Sequence, residues 1–208
     1  MFNTYVINLD SQQGRWNSQI KELNKVGIFP IRIPGILDKD ITQKFKDDHF
    51  TRLYDTFGTI HGCTASHLKT YEYILNNDTN QYALILEDDA YPKFKNVVDL
   101  QHYIHRIHPL SYDMLLVHCD NNCPYKDKEQ ALPRSYSGAA YFVSKKGCKK
   151  LLGLKFNSTI DRYTNNVPEL QKLVSKENFF WTDEDSIMSN EGSKNRVKTN
   201  QIKDNNVD

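Results

Sequence analysis

Tyr82-Ala83-Leu84-Ile85-Leu86 runs directly into Glu87-Asp88-Asp89. The mostly apolar run has the length of a buried strand, with Asn80 before it and Pro92 after it as turn signals. A strand that ends in acids delivers them to the edge of a sheet, and in an open α/β sheet ligands bind at the carboxyl edge. Adjacent carboxylates repel one another, which suits them to a hard divalent cation. The competing reading is a solvated acidic turn, and the abrupt switch from apolar to acidic favours the cation site.

Other residues with chemical potential are the four cysteines, Cys63, Cys119, Cys123 and Cys148. Their usage suits a reduced, intracellular setting. Cys63 and His67 stand four apart, a spacing compatible with a cysteine nucleophile, but no third group to orient the base is apparent. His118, Cys119 and Cys123, completed by His102, His105 or His108, suggest zinc, yet the paired-cysteine spacing of structural zinc sites is missing. Asp120-Asn121-Asn122 starts like a calcium loop and lacks the later glycine and acid.

The elements that must position these residues follow from hydrophobic period. Tyr5 to Leu9 reads as a first strand. Trp16, Ile20, Leu23 and Val26 fall at helical spacing, with Gly27 as a stop. Ile28 to Ile33, interrupted by Pro30, suits an edge strand. Strand, helix and strand in this order predict a crossover and a parallel sheet. Gly35 to Phe57 reads as a long excursion with one short helix. Leu68, Tyr71, Ile74 and Leu75 mark a helix that leads into the acidic strand, with Ser66 and His67 in its first turn. Asn96 to Ile107 is helical, with Val97, Val98, Ile104 and Ile107 inward. Met114 to Val117 and Ser137 to Val143 read as strands. Asp120 to Pro133 reads as a polar loop. Ser144 can cap the helix that carries Cys148, Leu151 and Leu152. Phe179-Phe180-Trp181 is read as core. The expected division is a catalytic domain over 1–189 and a polar, disordered tail over 190–208.

Composition sets outer limits. With 208 residues, 38% hydrophobic and 25% charged, the chain has the profile of one globular domain. Lys+Arg 27 against Asp+Glu 26 argues against a protein built to coat nucleic acid or an anionic membrane. No window has the length of a transmembrane helix, and the first residues lack signal-peptide character. The expectation is a cytoplasmic protein.

Asn8-Leu9 with Arg15, Gly62-Cys63 with Ser66-His67, Glu87-Asp88-Asp89, and Gly138-Ala139-Ala140-Tyr141 with Ile160-Asp161 stand in this order. The ordered set resembles glycosyltransferase family 25, which includes lipopolysaccharide sugar transferases and procollagen galactosyltransferases. The resemblance covers roughly residues 4 to 190. It implies a GT-A-like, Rossmann-type fold with a mostly parallel central sheet. It also implies a nucleotide-sugar donor, inversion at the anomeric carbon, and Mn²⁺ or Mg²⁺ at an Asp-x-Asp type motif. By this analogy Asp89, with Glu87, meets the metal, while Glu87 or Asp88 orients donor ribose or sugar. Galactose and UDP are favoured, with glucose as a rival, and the acceptor is a hydroxyl of a glycan or of hydroxylysine. Two positions depart from the family pattern. Thr59-Ile60-His61 replaces the stretch where an acid precedes Gly-Cys, and Thr159 stands where proline precedes Ile-Asp.

The chemistry gives each residue a candidate role. Arg15 is a planar donor for phosphate or nucleotide, or a surface arginine on the first helix. His67 meets the donor or the leaving group; Ser66 does so or caps the helix. Gly138 lets backbone pass close to a ligand, or packs a strand tightly. Single displacement needs one general base, and Asp161 is the first candidate, with Asp183, Glu184 and Asp185 as the second. N-capping is the alternative for these acids. Two other functional readings compete: a non-catalytic sugar-nucleotide or glycan-binding relative, and a metal-dependent nucleotide-sugar hydrolase.

Overall fold

The computed structural model describes residues 2–51, 60–107, 111–118, 130–131 and 138–182. Strand β1 (Asn3–Asn8) leads into helix α1 (Gln13–Lys25), which stops where Gly27 adopts a φ of 85°. That left-handed conformation carries no penalty for glycine. Strand β2 (Ile31–Pro34) then lies parallel to β1, pairing Tyr5 with Ile31. It forms one edge of the main sheet, as the proline-interrupted sequence predicts. The charged excursion holds a 3-10 turn (Asp38–Asp40) and helix α2 (Gln43–His49), capped by Thr42 on the Phe45 N–H. Helix α3 (Ile60–Asn77) leads to β3 (Tyr82–Glu87), which pairs in parallel with the other side of β1.

After β3 come β4 (Ala90–Pro92), α4 (Val97–Ile107), β5 (Met114–Leu116), β6 (Gln130–Ala131), β7 (Ala140–Ser144) and α5 (Lys145–Leu152). The described chain closes with α6 (Ile160–Tyr163), β8 (Lys172–Val174) and β9 (Phe180–Thr182). The main sheet has the order β2-β1-β3-β7-β5-β8-β6. Strand β7 runs antiparallel to both of its neighbours, and β6 runs antiparallel to β8. The other strands share one direction, so the sheet is mixed but mostly parallel. A small second sheet joins β4 to β9, antiparallel.

Alternation along the strands separates two cores. Tyr5, Ile85, Tyr141 and Val143 meet Leu68, Tyr71 and Ile74 of α3 and Cys148 and Leu151 of α5 on one face. Val6, Leu84, Leu86 and Phe142 meet Leu23 of α1 and Leu100, Tyr103 and Ile104 of α4 on the other. A sheet covered on both faces needs strands with little polar alternation, which is why β3 reads as a continuous apolar run. Ser144 caps α5, its Oγ accepting from the Gly147 N–H at 2.9 Å. Phe179 and Phe180 are core as expected, while half-buried Trp181 stacks on Tyr91 with ring centroids 4.9 Å apart.

Two expectations need correction. Val98 is 41% exposed, and Leu100 and Tyr103 take the inward face of α4. The apolar periodicity there fits two adjacent phases, and the helix selects the one that joins Leu100 and Tyr103 to Ile104 and Ile107. Helix α3 begins at Ile60, so Ser66 and His67 lie beyond its first turn, where backbone N–H groups are already used within the helix. The expected tail 190–208 and most of the polar loop from Asp120 lie outside the described residues.

Candidate functional site

Parallel pairing brings the carboxyl ends of β1, β2 and β3 to one edge, with Asn8 opposite Pro34 and Ile7 opposite Glu87. The N-terminal approach to β7 joins them, the Glu87 N–H donating to the Ala139 carbonyl at 2.8 Å. The first half of α3 stands over the same edge. A cleft of about 370 Å³ opens there, its lining including Leu9, Arg15, Cys63, Ser66, His67 and Glu87.

The three acids of the motif have different surroundings. Both oxygens of Asp88 are held: Asn8 Nδ2 donates to one at 2.8 Å and Arg15 to the other at 3.0 Å. Asn8 is itself fixed, since Arg32 Nε donates to its Oδ1 at 2.9 Å. Glu87 faces His67, with Oε1 3.3 Å from Nε2. Burial raises the Glu87 carboxyl, but the His67 hydrogen bond and the nearby charges of His67, His118 and Arg15 outweigh it and hold the group below its ordinary value. Asp89 differs from both. Its Oδ1 is buried with no hydrogen-bond partner among the described residues. Burial, then repulsion from Glu87 and Asp88, pushes its carboxyl up to about 6, with Arg15 opposing.

An ionised Glu87 can only accept at this contact, so His67 carries a proton on Nε2. Its Nδ1 lies 2.7 Å from the Tyr141 hydroxyl, which can donate or accept, and Tyr141 in turn lies 2.7 Å from the hydroxyl of Tyr71. Behind the motif, fully buried Gln19 donates to the carbonyls of Glu87 at 2.6 Å and Ala90 at 2.9 Å. It clamps the turn that carries the acids onto α1.

Other expected residues fall into place around this core. Ser66 neither caps a helix nor presents a spare hydroxyl to the cleft. Its Oγ donates to the Gly62 carbonyl at 2.7 Å and accepts from the Ile36 N–H at 2.8 Å, tying α3 to the cleft wall. Gly62 is required at that junction, because a Cβ there would lie 2.6 Å from the Ile36 carbonyl oxygen. Gly138 borders the acids, its absent Cβ position lying 3.5 Å from Glu87 Oε1 and 3.9 Å from Asp161 Cβ. Asp161, half-buried on α6, therefore shares the site with Glu87. Burial, then the charges of Glu87, Asp161 and Asp89, pushes the Cys63 thiol up, which opposes a nucleophilic thiolate. Asp183, Glu184 and Asp185 lie outside the described residues, as do Cys119 and Cys123.

Several contributors are not evident from motifs. Gln19 and Arg32 lie in ordinary helix and strand sequence. Lys172 is buried, donating to Asn165 Oδ1 at 2.7 Å and to Thr164 Oγ1 at 3.2 Å. Burial lowers its pKa to about 8 while the charge of Asp161 opposes the shift. The sequence signal for it is weak: Lys172 follows Gln171 and is flanked by Leu170 on one side and Leu173-Val174 on the other.

The donor types suit a hard cation: three successive carboxylates stand at a sheet edge, and one buried oxygen, Asp89 Oδ1, lacks a partner among the described residues. No helix among the described residues is long and apolar enough to cross a membrane. No curated protein matches this sequence. Among solved structures the chain is similar to HddC from Yersinia pseudotuberculosis, at 14% identity and a TM-score of 0.47, covering 88% of this chain and 93% of that one. It is also similar to A197 from STIV, at 11% identity and a TM-score of 0.44, covering 85% and 83%. The family model for glycosyltransferase family 25 (LPS biosynthesis protein) matches residues 1–164, so the chain belongs to that family.

Proposed function

We propose that this family member is an inverting hexosyltransferase on a GT-A-like fold. It moves galactose or glucose from a nucleoside diphosphate sugar, UDP-sugar favoured, to a hydroxyl of a glycan or hydroxylysine-type acceptor. The observation that carries the reading is the buried oxygen of Asp89, without a hydrogen-bond partner among the described residues, within the acid triplet at the carboxyl edge of the sheet. Asp89 and Glu87 are the residues to hold Mn²⁺ or Mg²⁺, which neutralises the charge that grows on the departing diphosphate.

The chain's own groups divide the remaining work. Asp88 holds Arg15 at the cleft wall, where a guanidinium can bind phosphate in a planar, two-point manner. Asn8 orients Asp88, and Leu9 supplies an apolar wall. His67 keeps Glu87 ionised and fixed, so the carboxylate need not reorganise when the cation arrives. Gly138 keeps the backbone close to both Glu87 and Asp161, where a larger side chain would crowd a bound sugar. Asp161 is the first candidate to take the proton of the acceptor hydroxyl. The acceptor oxygen bonds to the anomeric carbon as the bond to the diphosphate breaks on the opposite face, and the configuration inverts. Asp183 and Asp185 are the alternative bases.

The test is turnover with UDP-galactose and UDP-glucose against a panel of glycan and hydroxylysine peptide acceptors, with Mn²⁺ present and absent. The expected result is a metal-dependent product whose new linkage has the anomeric configuration opposite to the donor, read by NMR. Retained configuration rejects the single displacement. A melting shift with one donor but no transfer or donor hydrolysis assigns the chain to the binding class instead.

A further inference from the structure

Cys63, His67 and Glu87 bring one ligand atom each to within 4.8 Å of one another. Cys63 and His67 are one helical turn apart on α3, so thiol and imidazole project from one face. Glu87 reaches the same point from the end of β3. The three side chains border the cleft, which leaves room for an outer ligand. A sulfur, a nitrogen and a carboxylate oxygen converging with an open fourth position is a donor set for a tetrahedral, borderline-soft cation. Bonds of about 2.3 Å to sulfur and about 2.0 Å to nitrogen or oxygen require these side chains to turn inward from separations that reach no more than 4.8 Å.

The surroundings of His67 support the assignment independently. A metal-bound imidazole needs its other nitrogen held by a hydrogen-bond partner, which fixes the ring. Nδ1 has that partner in the Tyr141 hydroxyl at 2.7 Å, and Tyr141 is braced by Tyr71 at 2.7 Å. A phenolic oxygen donates or accepts, so it serves the ring before and after the His67 proton moves from Nε2 to Nδ1.

We propose that Cys63, His67 and Glu87 form a site for Zn²⁺ or Co²⁺, distinct in its sulfur and nitrogen ligands from the hard-cation site of the transferase reading and sharing only Glu87 with it. Binding releases one proton, that of the Cys63 thiol, and transfers the His67 proton between its ring nitrogens. Water fills the fourth position. Because Glu87 belongs to both sites, a thiophilic ion held here withdraws a carboxylate from the hard cation. Zn²⁺ is therefore expected to antagonise any Mn²⁺-dependent reaction.

The experiment is titration of the metal-free full chain with Co²⁺ and no nucleotide sugar, so its outcome is independent of the transferase reading. One equivalent is expected to give the thiolate-to-cobalt charge-transfer band in the near ultraviolet, and Zn²⁺ should bleach it. Cys63→Ser should abolish the band, while a Cys119→Ser, Cys123→Ser double variant should keep it. Tyr141→Phe should keep the band with affinity weakened about tenfold. Asp89→Asn should also keep it, which separates this site from the hard-cation site. A band that survives Cys63→Ser, or its absence at stoichiometric Co²⁺ in the unaltered chain, overturns the proposal. His67→Gln is a further ligand deletion. Should that variant fail to fold, the near-isosteric Cys63→Ser at the cleft surface still decides the matter.

Discussion

The two ends of β3 treat carboxylates in opposite ways. Asp78, just before the strand, is 4% exposed and fully employed. Its oxygens accept from Asn3 Nδ2 at 3.0 Å, Tyr5 Oη at 2.9 Å, and the Asn80 N–H and Nδ2 at 2.8 and 2.9 Å. Its carbonyl also accepts from Lys145. At the other end, Asp89 keeps a buried oxygen without a partner among the described residues and lies beside two further acids. A buried carboxylate saturated with donors locks structure in place. One left short of donors among like charges costs stability, and at the carboxyl edge of a sheet such a cost is what a ligand-binding group would carry.

The sharpest way to break this comparison is Asp89→Asn. If Asp89 holds the cation, kcat should fall roughly 100- to 1,000-fold, the scale for losing one charge-stabilising group. Stability should not fall with it. Burial and its acidic neighbours push the Asp89 carboxyl in the folded chain up to about 6, against 3.8 for an ordinary aspartate. Between those values the folded state binds more protons than the unfolded, so stability should fall as pH rises from about 4 to about 6, then level off. Thermal melting across that range should show the slope in the unaltered chain, a weaker slope in Asp89→Asn, and recovery above pH 6 on adding Mn²⁺. A variant with full turnover, or one that melts several degrees lower, contradicts the contrast.

Asp78→Ala should do the reverse. It strands the Tyr5 hydroxyl in the core and removes four accepted hydrogen bonds. The expected loss is about 3 kcal/mol of stability, measured by urea denaturation, with donor affinity intact in whatever remains folded. A loss below about 0.5 kcal/mol would mean that the network is not what secures the start of β3.

Gly62→Ala sharpens the comparison from the cleft side. The added Cβ meets the Ile36 carbonyl oxygen at 2.6 Å and the Asp38 nitrogen at 3.0 Å, both backbone. Separating α3 from that wall should cost about 1–3 kcal/mol. It should also weaken donor binding, because Gly35 to Asp38 line the cleft. Destabilisation without any change in donor KM would show that this wall does not face the donor.

Much of this arrangement is legible in the sequence because it rests on local signals. The apolar-to-acidic switch at Leu86-Glu87 places the motif at a strand end. The Ser144 cap and the Gly27 stop follow from single-residue preferences. The ordered motifs bring Asn8, Arg15, His67, Gly138 and Asp161 to one region, and the sheet order shows how. What is not legible is long-range partnership. Asp88 and Asp89 are neighbours of one type in the sequence, and only the fold gives Asn8 and Arg15 to the first and leaves the second short. Ser66 reads as a cap because its type favours one. Its use as a strut to Ile36 depends on a loop thirty positions away in sequence. The antiparallel entry of β7 also has no local signature, since its apolar run suits either direction.

Arg15→Ala carries the smallest expected change and tests Asp88, the member of the triplet with a donor on each oxygen. The Arg15–Asp88 contact is 3.0 Å long, but the arginine side chain is 48% exposed. Solvent screens such a pair, so removing it should change stability by less than about 1 kcal/mol. Asp88 retains the Asn8 hydrogen bond and stays in place. If the guanidinium serves the donor phosphates, donor KM should rise about tenfold, the scale of one charge-assisted hydrogen bond, with kcat changed less. Arg15→Lys should restore charge but not the planar two-point geometry, so its KM should fall between the two. A several-degree drop in melting temperature with KM unmoved would reverse the assignment. Arg15 would then hold the motif together as Asn8 and Gln19 do, and the donor contacts at this edge would rest on Asp89 and Glu87.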